Sequence, residues 1–132
     1  MVEDNGADVF LVEQAIEFHQ VPLRLMVAED GEAASNFLEQ VEQRDNARVP
    51  AVVVLDLNLP KKSGAEILAQ ARNSPKFRNV PFIVLTSSDS QEDRKRVAGL
   101  GANRYVTKPA SYREFLQIGV LLNDLLKGKI QF

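Results

Sequence analysis

Ala51-Val52-Val53-Val54-Leu55-Asp56-Leu57-Asn58-Leu59-Pro60 is the stretch that decides the fold. The apolar run from Ala51 to Leu55 is rich in β-branched residues, lies between Pro50 and Pro60, and is too short for a helix. A run that is apolar at every position has no solvent face, so it reads as a strand covered on both sides, the habit of parallel sheets. Asp56 ends it with a carboxylate at the rim of a core. Ligands of open parallel sheets bind just beyond the carboxyl ends of the strands. Asp56 stands where chemistry would be done.

Outward from this strand, helical and strand periodicities alternate. Ala7 to Gln20 reads as a helix with Val9, Val12 and Ile16 on one stripe, closed by Pro22. Leu23 to Ala28 alternates through Leu23, Leu25 and Val27 and reads as a strand; Gly31 to Glu42 carries Ala34, Phe37, Leu38 and Val41 at helical spacing. Ser63 to Asn73 is a helix with Ile67, Leu68 and Ala71 inward, ended by Asn73-Ser74-Pro75. Val80 to Leu85 is a strand, Ser90 to Leu100 a helix capped by Gly101, Arg104 to Thr107 a strand, and Ser111 to Leu126 a last helix broken by Gly128. Alternating units of this kind give an α/β fold, a parallel sheet with helices on both faces. The first strand is unusually short: only Met1 and Val2 precede Glu3-Asp4, against about five or six residues in an ordinary strand. Residues upstream of Met1 are expected to complete it, with a truncated or partner-completed sheet as the alternative.

A chain of 132 residues is one domain, able to bury about two-thirds of its unfolded surface. Hydrophobic residues at 45% and charged residues at 26% are ordinary for a globular protein and exclude disordered, collagen-like and coiled-coil readings. The absence of cysteine excludes a disulfide framework or a thiolate metal site. No apolar stretch approaches the roughly 20 residues of a membrane span and no signal peptide opens the chain, so the expectation is a cytoplasmic protein with no membrane partner. A net charge of −2 without a basic patch argues against nucleic acid as a partner.

Three other strand ends carry polar groups: Glu3-Asp4, Thr86-Ser87-Ser88 and Lys108-Pro109. In a parallel sheet these ends share one rim, so they converge on Asp56. Clustered carboxylates repel one another unless a cation intervenes. An all-oxygen donor set favours magnesium, which takes one or two carboxylates, waters and a phosphate. Lys108 adds a mobile point charge suited to a phosphoryl oxygen. An anionic nucleophile, a hard cation, a lysine and a hydroxyl make a phosphoryl-transfer site that works by positioning and charge neutralisation.

With these residues in place the chain resembles a response-regulator receiver domain of two-component signalling, over residues 1–127, with 128–132 as a C-terminal tail. Glu3-Asp4 matches the family's acidic pair, Asp56 its phosphoacceptor, Thr86 its switch hydroxyl, Tyr105 its switch aromatic and Lys108 its lysine. Pro60 and Gly64 occupy the turn after the acceptor. Asp56 to Pro60 and the loop from Asn73 to Pro81 are similar to stand-alone regulators paired with phytochrome-type sensor kinases. The resemblance implies a flavodoxin-like, doubly wound five-stranded parallel sheet of strand order 2-1-3-4-5. It implies magnesium held by Asp4 and Asp56, by the Asn58 backbone carbonyl and by Glu3 through water, with Thr86, Ser87 and Lys108 at the phosphoryl group. The implied partner is a sensor histidine kinase or histidine phosphotransfer protein. The implied output is a conformational change of the face made by the fourth helix, the last strand and the last helix. On this reading the chain is a switch with self-catalysed phosphorylation and dephosphorylation, not an enzyme acting on a separate substrate.

Each residue alone has a blander reading. An Asp after a strand is more often a turn or cap residue, Lys108-Pro109 an ordinary strand end, Thr86-Ser87-Ser88 a helix N-cap cluster and Tyr105 a half-buried strand aromatic. Their combined spacing favours the site. An aspartyl-phosphate phosphatase of the haloacid-dehalogenase type wants a second Asp where Asn58 stands. A flavin module is disfavoured because an acidic rim repels a cofactor phosphate, and a pseudo-receiver because the set Asp4, Asp56, Thr86 and Lys108 is complete. His19, the single histidine, reads as a solvated residue near a helix end. Val9-Phe10-Leu11-Val12 covers more of its helix than one core face needs, so either an aromatic there is buried under a loop or Phe10 or Leu11 faces outward as a docking surface for the phosphodonor. The last helix is similarly over-apolar from Phe115 to Leu126, and with Ile130 and Phe132 is expected to support a homodimer.

Overall fold

The computed structural model describes residues 1–128. Its helices are α1 (Gly6–Phe18), α2 (Gly31–Gln43), α3 (Gly64–Arg72), α4 (Gln91–Gly99), α5 (Tyr112–Leu116) and α6 (Ile118–Leu126), and its strands β1 (Val53–Leu55), β2 (Phe82–Thr86) and β3 (Arg104–Thr107). Short polar residues start five of the six helices: Asn5, Asp30, Ser63, Ser90 and Ser111 each accept hydrogen bonds from backbone N–H groups of the first turn. Ser63 and Glu66 form a reciprocal capping box at α3. The helix expected to run unbroken from Ser111 to Leu126 tightens at Gln117, whose N–H bonds the Glu114 carbonyl three residues back (3.1 Å), and is thereby divided into α5 and α6.

The three strands pair in parallel in the order β1-β2-β3, with Val54 opposite Ile83 and Val84 opposite Tyr105. Val2 makes isolated parallel bridges to Ala28 on one side and Leu55 on the other. The expected five-stranded ladder is therefore not formed among the described residues. Leu23 to Ala28 is the clearest correction: it forms no strand beyond the single parallel bridge at Ala28. A ladder needs a neighbour along its whole length, and Met1-Val2 offers only the last one or two positions. Leu23 and Leu25 still turn partly inward, whereas Val27, expected inward, is exposed.

An apolar cavity of about 580 Å³ lies beside Met1 and Val2, walled by Leu23, Leu25, Phe37, Val52, Val54 and Leu122. Val53 donates to the Pro81 carbonyl on the β2 side, and its neighbour Val54 therefore faces the cavity side, where its carbonyl accepts from the Val2 N–H (2.8 Å). No acceptor meets the Val54 N–H among the described residues.

The core forms two clusters, one on each face of the sheet. Leu55, Ile67, Leu68, Phe77 and Phe82 centre the α2/α3 side; Val12, Ile83, Leu85, Phe115 and Leu122 centre the α1/α5/α6 side. Most of the surplus apolar residues of the last helix are consumed here: Phe115, Leu116, Ile118, Leu122 and Leu125 are buried, leaving Tyr112 and Val120 exposed. Ile130 and Phe132 lie outside the described residues. Phe10 is outward at 55% exposure, which removes the reading of a loop-buried aromatic there. His19 is not solvated: its ring packs against Gly119, where an added Cβ would approach the ring to 2.6 Å, and its Nε2 is buried without a partner. Arg72 ties the far end of the sheet together, donating to the carbonyls of Phe77 (3.0 Å), Val80 (2.9 Å) and Gly101 (2.8 Å) and to Asn103 Oδ1 (3.1 Å). Among the described residues no helix is long and apolar enough to cross a membrane.

Candidate functional site

Asp56 follows β1 directly and is buried, fixed by its own N–H to the Val2 carbonyl (3.1 Å). The turn after it is drawn tight. The Gly64 N–H bonds the Leu57 carbonyl (3.0 Å), and an added Cβ on Gly64 would lie 2.2 Å from the Asp56 carbonyl oxygen. Only a residue without a side chain lets α3 begin this close to the acid. The Asn58 N–H donates to Asp56 Oδ1 (3.3 Å), leaving Oδ2 for Lys108.

Glu3, Asp4 and Asp56 converge as expected, offering carboxylate oxygens that all lie within 4.8 Å of one another. Glu3 is 2% exposed, whereas Asp4 faces solvent. Burial pushes the Glu3 carboxyl up to about 7; the adjacent Lys108 ammonium pulls it down and the Asp56 charge pushes it further up. Glu3 Oε1 sits 2.7 Å from Lys108 Nζ as an ion pair, yet it is buried without a well-directed hydrogen bond. An oxygen left in that condition, with two more carboxylates beside it, fits a hard divalent cation.

Lys108 follows β3, its N–H on the Thr86 carbonyl (2.8 Å), so two strand ends are locked together at the rim. Its ammonium lies 2.7 Å from Asp8 Oδ2 and 3.1 Å from Asp56 Oδ2. Burial opposes its charge, but the carboxylates of Asp8, Glu3 and Asp56 around it outweigh that and raise its pKa above the usual lysine value. Thr86 is fully buried at the end of β2, and its Oγ1 accepts from the Ser88 N–H (3.4 Å). Ser87 is exposed on the same rim. Tyr105 is half-buried on β3 and reaches the loop after β2 through its hydroxyl.

Asp8 was not among the expected site residues. It lies in the first turn of α1, four residues past Asp4, and its carboxylate meets Lys108 from the side opposite β1. No sequence period announces it, because Asp4 precedes the Asn5 cap and lies outside α1.

Comparison with known proteins agrees with this geometry. The family model for the response regulator receiver domain matches residues 1–118. Response regulator Rcp1 of Synechocystis sp. is 35% identical over 118 residues, covering 89% of this chain and 80% of that protein. The crystal structure of the phosphorylated cyanobacterial phytochrome response regulator RcpA superposes with a TM-score of 0.85 at 34% identity, covering 98% of this chain and 93% of that one. The Mn(2+)-bound form of Rcp1 does so with a TM-score of 0.81 at 33% identity, covering 93% and 88%. The chain is a receiver domain of the response-regulator family of two-component signalling.

Proposed function

We propose that this chain is a phosphoacceptor switch in which Asp56 takes a phosphoryl group from the phosphohistidine of a sensor kinase or phosphotransfer protein. The observation that carries the reading is the placing of the buried Asp56 carboxylate between an acidic pair and Lys108 Nζ, 3.1 Å away. Glu3, Asp4 and Asp56, with the Asn58 carbonyl, would hold magnesium, which when bound neutralises the carboxylates and the incoming anion. Asp56 Oδ2 is the nucleophile. Its P–O bond forms as the bond from phosphorus to the histidine nitrogen breaks, and the nitrogen leaves with its electron pair. Lys108 keeps its proton throughout and donates a hydrogen bond to a transferring oxygen. Ser87 leaves room for the phosphoryl group, and Thr86 supplies a hydroxyl to it.

The output is a movement of Thr86 toward the phosphoryl oxygens, followed by Tyr105 and the face made by α4, β3 and α5. Self-catalysed transfer and loss of the group make the chain a switch, and its setting is the cytoplasm, with neither nucleic acid nor membrane as partner. The exposed Tyr112 and Val120 are the surface on which a homodimer would rest. Incubation with acetyl phosphate and magnesium, followed by intact mass, tests the reading: one added phosphoryl group is expected, absent in excess EDTA and absent in Asp56→Asn. Stoichiometric labelling of Asp56→Asn, or none of the wild type, would overturn it.

A further inference from the structure

We propose that Asp8 is a positioning residue that holds Lys108 toward α1 and so restrains the entry of the phosphodonor. The inference rests on the reading of Asp56 as phosphoacceptor and adds a residue to that site. Lys108 has three N–H groups, and three carboxylates surround it: Glu3 at 2.7 Å, Asp8 at 2.7 Å and Asp56 at 3.1 Å. The longest of these contacts is the one to the nucleophile. The directed hydrogen bonds are those to Asp8 and Asp56, while Glu3 makes a close ion pair only, so Asp8 is the hydrogen-bonded partner outside the acidic cluster that Lys108 must loosen to follow a phosphoryl oxygen.

Asp8 is itself well fixed. Its side chain is 15% exposed, its N–H bonds the Asn5 carbonyl (3.1 Å), and its carboxylate sits in the first turn of α1, where the helix dipole favours an anion. Two consequences act in the same direction. Asp8 competes with the donor for the Lys108 proton donor, and it adds a fourth carboxylate to a rim that a phosphate-bearing donor must approach.

The reaction that reads this is transfer from acetyl phosphate. Asp56 Oδ2 bonds to phosphorus as the bond from phosphorus to the acetyl oxygen breaks, and acetate leaves. Initial rates against donor concentration compare wild type with Asp8→Asn and with Glu17→Gln, which removes the same charge from the exposed far end of α1. Asp8→Asn should raise kcat/KM by roughly 2- to 5-fold, mainly by lowering KM, as expected for one charge-assisted contact near a surface. The gain should shrink as salt is raised, and it should vanish in a Lys108→Ala background. Glu17→Gln should match the wild type.

A purely structural role for Asp8 would move neither KM nor its salt dependence. In the absence of donor, the hydrogen-bonded ammonium resonance of Lys108 should be lost to solvent exchange in Asp8→Asn. If Asp8→Asn fails to fold, Asp8→Ser carries the same test with a hydroxyl retained in the first turn. Labelling of Asp8→Asn at the wild-type rate or slower, or an equal gain in Glu17→Gln, overturns the inference while leaving the phosphoacceptor reading intact. A wild type that takes no phosphoryl group overturns both.

Discussion

The Tyr105 hydroxyl donates to the Ser88 carbonyl over 2.7 Å, fastening the aromatic of β3 to the loop that leaves β2. The Arg94 guanidinium covers the ring at 4.4 Å and donates to Thr107 Oγ1 (3.0 Å), so one side chain of α4 clasps both ends of the arrangement. Any movement of the Thr86-Ser87-Ser88 loop toward Asp56 pulls on Tyr105 directly. Tyr105→Phe should destabilise the fold by about 1 kcal/mol, the worth of one hydrogen bond, measured by urea unfolding. It should still accept phosphate, while the chemical-shift changes along α4 on phosphorylation become smaller than in the wild type.

Lys108 is the counterion for three carboxylates, two of them on different elements. Lys108→Ala leaves those acids facing one another, and a loss of about 3 kcal/mol is expected for removing one partner from a buried ionic group. Added magnesium should restore more stability to this variant than to the wild type. Thermal melts with and without the cation measure both effects.

Glu3 gives the fold a defined pH response. Its carboxyl is raised to about 7 in the folded state from 4.5, so between those values the native chain binds more protons than the unfolded one. Stability without divalent cation should therefore fall as pH rises from about 4.5 to 7 and level off above. The upward shift of Lys108 acts only near and above the ordinary lysine pKa and leaves this window untouched. Glu3→Gln should flatten the profile in melts run in EDTA; a wild-type profile that rises through the window would contradict the assignment.

Gly64 tests how tightly the acid is set. A Cβ there would stand 2.2 Å from the Asp56 carbonyl and 2.8 Å from the Leu57 Cα, both backbone atoms that cannot swing aside. Gly64→Ala should cost roughly 1–3 kcal/mol through overpacking and slow labelling of Asp56 by acetyl phosphate. Gly6→Ala, with open space around its Cα, should do neither.

Asp56 and Thr86 were legible from sequence because each ends an apolar run, and Lys108 because it follows the short Arg104–Thr107 strand; the parallel topology that alternation dictates brings these strand ends to one rim. The acidic pair was legible for the same reason even with a two-residue strand before it. Leu23 to Ala28 misled because strand formation there depends on a neighbour that periodicity does not reveal. Much of the apolar surplus of the last helix faces α1 as well as the sheet, and helix-on-helix contact leaves no separate mark in a single sequence. His19 read as solvated because nothing in its neighbours announces that Gly119, a hundred residues on, opens space for the ring. Asp8 depends on the position of α1 over the rim, which becomes visible only once the helix is packed.

Because one guanidinium gathers the carbonyls of Phe77, Val80 and Gly101 together with Asn103 Oδ1, the end of the sheet remote from Asp56 hangs on a single side chain. Amide hydrogen exchange around those acceptors should quicken in Arg72→Met while the rim that holds Asp56 keeps its protection.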